Sequence, residues 1–121
     1  MSVSTSNPSV AAVVLNYNGK EITLEAIDSL SQMTYPNFSI IHTDNGSTDG
    51  TTEWLAEQQK RKRLRAVLSG ENLGFSRGCN TGAEAARGRD LLFLNNDMEV
   101  GAGWLDPLVG TLDQDPSVGI V

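Results

Sequence analysis

Apolar and polar positions alternate along the chain in short blocks, and the blocks switch period from one to the next. Val10 to Leu15 is a continuous apolar run, the pattern of a strand buried on both faces. Asn16-Tyr17-Asn18-Gly19 interrupts it. Ile22, Ala26, Ile27, Leu30 and Met33 then recur at helical spacing. Tyr35-Pro36-Asn37 closes that helix, because proline disfavours the helical conformation of the residue before it. Phe38 to Thr43 predicts a second strand, followed by the polar turn Asp44-Asn45-Gly46-Ser47-Thr48-Asp49. Gly50 to Gln59 predicts a second helix, capped by Thr48 or Asp49, with Glu53 favoured in its first turn by the helix dipole.

Arg65 to Leu68 reads as a short third strand and Ser69 to Asn72 as a loop. A third helix is expected from Phe75 to Ala86, with Gly78, Gly82 and Ala86 along one face, where small residues allow close approach to the sheet or to a ligand. Asp90 to Leu94 predicts a fourth strand, Trp104 to Leu112 a further helix, and Val118 to Val121 the start of another strand. The order β-α-β-α-β-α-β argues for an α/β fold. A Rossmann-like, mostly parallel sheet carries helices on both faces.

A length of 121 residues fits one domain or a piece of one. Residues 1–9 are rich in Ser, Asn and Pro and are expected to fray. Residues 10–121 form the folded part, and the chain stops inside an apolar run. We therefore expect the N-terminal part of a longer polypeptide. The net charge of -6 argues against a nucleic-acid partner, since that affinity comes from Lys and Arg on phosphates. The run Lys60-Arg61-Lys62-Arg63, with Arg65, is the exception. It reads as a solvated helix end complementing the dipole, or as a contact for an anionic membrane surface. The single cysteine, Cys79, excludes an internal disulfide and a cysteine-based zinc site, and it fits a reducing compartment. No signal peptide is visible, and no apolar stretch approaches the roughly 20 residues of a membrane span. A cytoplasmic setting is the expectation.

In open α/β sheets, ligands sit outside the carboxyl ends of the strands. Two such ends are polar here. Asp44 can accept hydrogen bonds from a base imide or from ribose hydroxyls, or it can serve its own turn as an Asx residue. Asp97 and Glu99 follow the fourth strand. A hard cation such as Mg²⁺ uses one or two carboxylates plus substrate phosphates, a role open to Asp97; an Asn/Asp-rich turn is the competing reading. Arg77, near the start of the third helix, can pair with a phosphate, pair with an acidic neighbour, or stay solvated. Tyr17 can stack on a flat base. His42, the only histidine, lies inside a strand and reads as packed or edge-exposed rather than as a general base. Trp104 reads as a core or lid anchor.

Taken in order, these segments resemble glycosyltransferase family 2, the inverting nucleotide-sugar transferases of GT-A fold. The resemblance rests on Val13-Val14-Leu15-Asn16-Tyr17-Asn18, on Asp44 to Asp49, on Asn72-Leu73-Gly74 with Asn80-Thr81-Gly82, and on Asn95-Asn96-Asp97. The Asn-Leu-Gly-Phe and Leu-Asn-Asn-Asp variants look like the rhamnosyltransferase-like branch. The resemblance implies a base pocket lined by Tyr17 and the backbone near Leu15 and Asn16, with Asp44 on the base. It implies Asp97 on a Mg or Mn ion, with Asn96 beside the ribose and diphosphate. It also implies a UDP- or dTDP-linked sugar donor, a saccharide or lipid-linked acceptor, and work at the inner face of the membrane.

This chain departs from the family pattern at Asn95, where the usual motif starts with Asp, and at Cys79, where many members carry Arg. Arg77 is the substitute offered by position. The family's catalytic carboxylate lies further along the chain than Val121, and none of Asp106, Asp113 or Asp115 matches it. The same residues also allow a nucleotide-binding module without transferase activity. A sugar-phosphate nucleotidyltransferase would be expected to show a Gly-rich basic loop after the first strand, and Asn16-Tyr17-Asn18-Gly19 lacks one.

Overall fold

The computed structural model describes residues 8–88, 90–101 and 103–121. The segment expected to fray lies, over residues 1–7, outside the described residues. Eight elements follow in order: β1 (Val10–Asn16), α1 (Lys20–Ser31), β2 (Phe38–Asp44), α2 (Thr51–Lys60), β3 (Arg65–Leu68), α3 (Gly74–Ala85), β4 (Asp90–Asn95) and α4 (Leu105–Gln114). The four strands form one sheet in the order β3-β2-β1-β4, and every pairing is parallel.

Register explains the apolar runs. Val14 pairs with His42 and with Leu94, and Ala12 pairs with Ile40 and Leu92, so these residues share one sheet face. That face packs on α1 and α2, where Val14, Ile27, Leu30, Ile40, Leu55 and Leu94 form the main core. Leu105 and Val109 of α4 join Val10, Tyr35 and Leu92 in a second cluster. The opposite face meets α3 through glycines. A Cβ on Gly78 would stand 2.7 Å from Leu15 Cδ1, and one on Gly82 would stand 2.6 Å from Val13 Cγ1. Helices therefore cover both faces, as the element order predicts.

Four expectations shift. Ile22 is 48% exposed, and the buried stripe of α1 is Thr23, Ala26, Ile27 and Leu30. A threonine occupies a core-facing position that an apolarity pattern skips. Helix α1 also ends at Ser31, well before Pro36. Tyr35 is buried there and its hydroxyl donates to the Pro8 carbonyl at 2.5 Å, so an anchored aromatic sets the path after the helix. Helix α3 stops at Ala85, and Ala86 is extended rather than on the glycine face. Finally, Val118 to Val121 is no strand. It joins no ladder of the sheet, and Ile120 is 94% exposed, so apolarity without a partner edge does not make it one.

Candidate functional site

Strands β1, β2 and β4 are parallel neighbours, so their carboxyl ends lie side by side. Register sets Asn16 opposite Asp44 and Leu15 opposite Asn95. The two polar turns that stood 50 residues apart in the sequence are thus brought to one rim.

The turn after β2 is organised around Asp44, which is 1% exposed. Its Oδ2 accepts from the Ser47 backbone N–H at 2.8 Å and from the Thr52 hydroxyl at 3.2 Å. Its Oδ1 accepts from the Ser47 hydroxyl at 2.5 Å and from the Asn16 amide at 3.2 Å. A carboxylate offers about four acceptor positions, so all are occupied within the protein. Gly46 and Gly50 carry the turn through positive φ, which glycine adopts without steric cost.

Helix α2 starts after Gly50 rather than with a capping side chain at that position. Asp49, one residue earlier, still serves it. Its Oδ1 accepts from the Thr51 N–H at 3.1 Å, and its Oδ2 accepts from the Lys20 N–H at 3.0 Å. One carboxylate therefore satisfies first-turn donors of both α1 and α2. The Thr51 hydroxyl, above all, together with these N–H groups, holds the Asp49 carboxyl below its ordinary range.

The loop after β1 presents Tyr17, 52% exposed, at the rim. Asn18 sits at φ +52, a left-handed conformation that asparagine tolerates. Its Oδ1 accepts from the Thr48 N–H at 2.7 Å, and its own N–H donates to the Ser47 hydroxyl at 2.8 Å. The turn after β4 exposes Asn95 and Asp97 and half-buries Asn96.

Two candidates lie on α3 rather than in these turns. Arg77 is exposed on α3. Cys79 is half-buried, and burial pushes its thiol up. It lines a cavity of about 290 Å³ with Leu15, Phe75, Phe93, Leu94, Asn95 and Asn96. His42 is fully buried, its Nε2 lies 3.4 Å from the Thr23 hydroxyl, and burial lowers its pKa to about 4 against the opposing charge of Asp44. It is a packed neutral histidine. Trp104 packs on the main core.

The basic run caps α2. Arg61 pairs with Glu57 at 3.2 Å, Arg63 donates to Gln58 Oε1 at 3.2 Å, and Arg65 donates to the Ala85 carbonyl at 3.1 Å. These contacts fit a solvated helix end and leave Lys60 and Lys62 exposed.

Sequence reasoning missed the side chains of Asn16, Thr23 and Ser47 as hubs. The signal for Asn16 was its position: it continues the Ala12, Val14 face of β1 and so had to be buried.

The sequence model of the family described as "Glycosyl transferase family 2" matches residues 11–121. The chain belongs to glycosyltransferase family 2. Among relatives, it is 37% identical over 116 residues to the O-antigen biosynthesis protein RfbC of Myxococcus xanthus, covering 94% of this chain and 9% of that protein. It is 31% identical over 91 residues to the putative teichuronic acid biosynthesis glycosyltransferase TuaG of Bacillus subtilis, covering 74% of this chain and 36% of that one.

A mannosyltransferase from Pyrobaculum calidifontis, solved with GDP-Man and Mn²⁺, superposes with a TM-score of 0.81 at 27% identity, over 93% of this chain and 34% of the other. S. aureus TarS shares the fold at a TM-score of 0.76 and 22% identity, over 88% of this chain and 20% of that one. This family 2 chain thus spans about a third or less of the proteins it matches. Its parallel sheet and flanking helices share the α/β fold of those glycosyltransferases.

The donor set for a metal is sparse. Among the described residues, no three His, Cys, Asp or Glu side chains come together as a metal-binding group. Asp97 is an exposed carboxylate on the rim, which fits a cation that takes most of its oxygens from a bound diphosphate and water. Among the described residues, no helix is long and apolar enough to cross a membrane.

Proposed function

We propose that the rim formed by Tyr17, the Asp44 turn and the Asn96–Asp97 turn holds the nucleoside diphosphate of a sugar donor, UDP- or dTDP-linked, for transfer with inversion. The observation that carries this reading is the convergence of those turns at adjacent parallel strand ends, inside the span matched by the family. It is supported by the GDP-Man and Mn²⁺ bound to the mannosyltransferase of like fold. Tyr17 offers an exposed ring for a base to stack on. Asp44 orders the turn beneath that base. For it to take a base imide N–H directly, the Thr52 hydroxyl at 3.2 Å must give way. Leu15 and Asn16 supply backbone at the pocket floor, and Arg77, exposed on α3, is the cation offered for the diphosphate.

Asp97 would hold a Mg or Mn ion, whose chemistry is to neutralise the leaving diphosphate as a Lewis acid. In the full protein an acceptor hydroxyl attacks the anomeric carbon as the bond to the diphosphate oxygen breaks. A carboxylate from outside this chain takes the hydroxyl proton, so the chain alone binds without transferring. The acceptor, a saccharide or lipid-linked sugar, and contact of the exposed Lys60, Arg61, Lys62, Arg63 and Arg65 side chains with an anionic inner membrane face belong to the same proposal.

Isothermal titration with UDP, dTDP and GDP, each with and without Mn²⁺, tests the reading. Binding of at least one diphosphate, weakened by chelation and by Asp97→Ala by roughly tenfold or more, is expected for a lost charged contact. Absence of binding by all three sinks the nucleotide reading. Binding indifferent to both chelation and Asp97→Ala sinks the metal role.

A further inference from the structure

One buried side chain joins both halves of this rim. Asn16 is 1% exposed, and its amide touches four other segments. On the nitrogen side it reaches Asp44 Oδ1 and Ser47 Oγ at 3.2 Å each and Thr51 Oγ1 at 3.4 Å. On the oxygen side it accepts from the Gly19 N–H at 3.1 Å, the Thr23 hydroxyl at 3.0 Å and the Asn96 amide at 2.8 Å.

The orientation of the amide is determined by its partners. The Gly19 N–H can only donate and the Asp44 carboxylate, when ionised, can only accept, so the oxygen must face Gly19 and the nitrogen must face Asp44. The Asn16 nitrogen has two hydrogens for three acceptors, and the Ser47 and Thr51 hydroxyls pass their own protons on to Asp44 and Asp49. The network is therefore satisfied in one sense only. The contact to Asn96 spans 80 residues of sequence and is seated at the residue before Asp97. Thr23, fully buried on α1, backs the same oxygen and lies 3.4 Å from the Asn96 amide.

We propose that Asn16 is a positioning residue that locks the Asp44–Asp49 turn and the Asn96–Asp97 turn into one preassembled unit. It touches no ligand itself; its backbone forms the pocket floor while its side chain points into the protein. The proposal rests on the nucleotide-diphosphate reading of the rim for its functional consequence, but the coupling itself is a property of the free chain. A fully satisfied buried network rigidifies what it joins, whereas a half-satisfied one is costly. Removing the Asn16 amide leaves the Gly19 N–H, the Asn96 amide and one Asp44 lone pair without their partner.

Two measurements on Asn16→Ala test this. In the ligand-free chain, amide hydrogen exchange is expected to accelerate at Gly19, Ser47 and Met98 together, with Val13 and Ile41 in the sheet unchanged. In titration, UDP affinity in the presence of Mn²⁺ is expected to fall roughly tenfold, the scale of one buried hydrogen-bonding group lost from a preorganised site. Unchanged exchange at Met98 overturns the coupling. Accelerated exchange with unchanged UDP–Mn²⁺ affinity overturns the positioning role and leaves a structural one.

If Asn16→Ala fails to fold, Thr23→Val is read the same way. It removes one donor to the same oxygen at nearly constant volume, and faster exchange at Met98 supports the proposal while no change overturns it. Should the unmodified chain bind none of the diphosphates, the donor-site reading fails and the exchange result still decides the coupling.

Discussion

At the scale of single residues, the rim consists of polar side chains that mostly serve one another. Asp44 is the clearest case: a carboxylate aimed at a ligand by sequence order is enclosed by Ser47, Thr52 and Asn16. His42 shows the same economy beneath it. Burial lowers its pKa to about 4 from an ordinary 6.5, so the unfolded chain binds a proton more readily than the folded one between those values. Stability from this group is full above pH 6.5 and declines as pH falls toward 4, by up to about 3 kcal/mol. Asp49 and Asp115, held below their ordinary range by hydroxyl and N–H donors, lose their contribution only at lower pH. Urea unfolding midpoints at pH 7.5 and 4.5 are expected to differ markedly in the natural chain. In His42→Gln that difference shrinks; a slope unaltered by the substitution contradicts the assignment.

At the scale of elements, the seam between α3 and the sheet is set by Gly78 and Gly82. A methyl group at Gly82 meets Thr43 Oγ1 at 2.5 Å and Val13 Cγ1 at 2.6 Å, neither of them the far end of a long flexible side chain. Gly82→Ala is expected to destabilise by about 1–3 kcal/mol through overpacking, despite the higher helix propensity of alanine. Thermal unfolding checks it, and a raised midpoint rules it out.

This seam was legible in the sequence as small residues at helical spacing, and so were all four strands, since apolar runs bounded by Asn, Gly and Asp admit few other readings. The rim was legible only as positions. Which polar side chain turns inward depends on register between strands, and Asn16 opposite Asp44 is a long-range pairing that no local pattern encodes. Thr23 escaped for the converse reason: its hydroxyl is buried because Asn16 and His42 meet it there. Val118 to Val121 was misread because apolarity alone does not supply a neighbouring edge.

At the scale of the whole molecule, the covering of the sheet is uneven. Among the described residues, strand β4 pairs with β1 alone, and on the α3 side its Leu91 and Phe93 are 44% and 52% exposed. An open strand edge beside apolar side chains invites edge-to-edge association. Sedimentation velocity at tens of micromolar is expected to show self-association of the 121-residue chain that Phe93→Lys suppresses; a monomer at all concentrations refutes this.

The glycine seam has a different bearing on the site. Contact between backbone and sheet is a ruler without adjustable length. The start of α3, with Arg77, stands at a separation from β1 and β2 that swapping one side chain for another at Gly78 or Gly82 cannot tune, because any side chain there collides. Variation in what the rim accepts must then arise in its turns, where an exposed side chain such as Tyr17 can change without moving the helix that frames them.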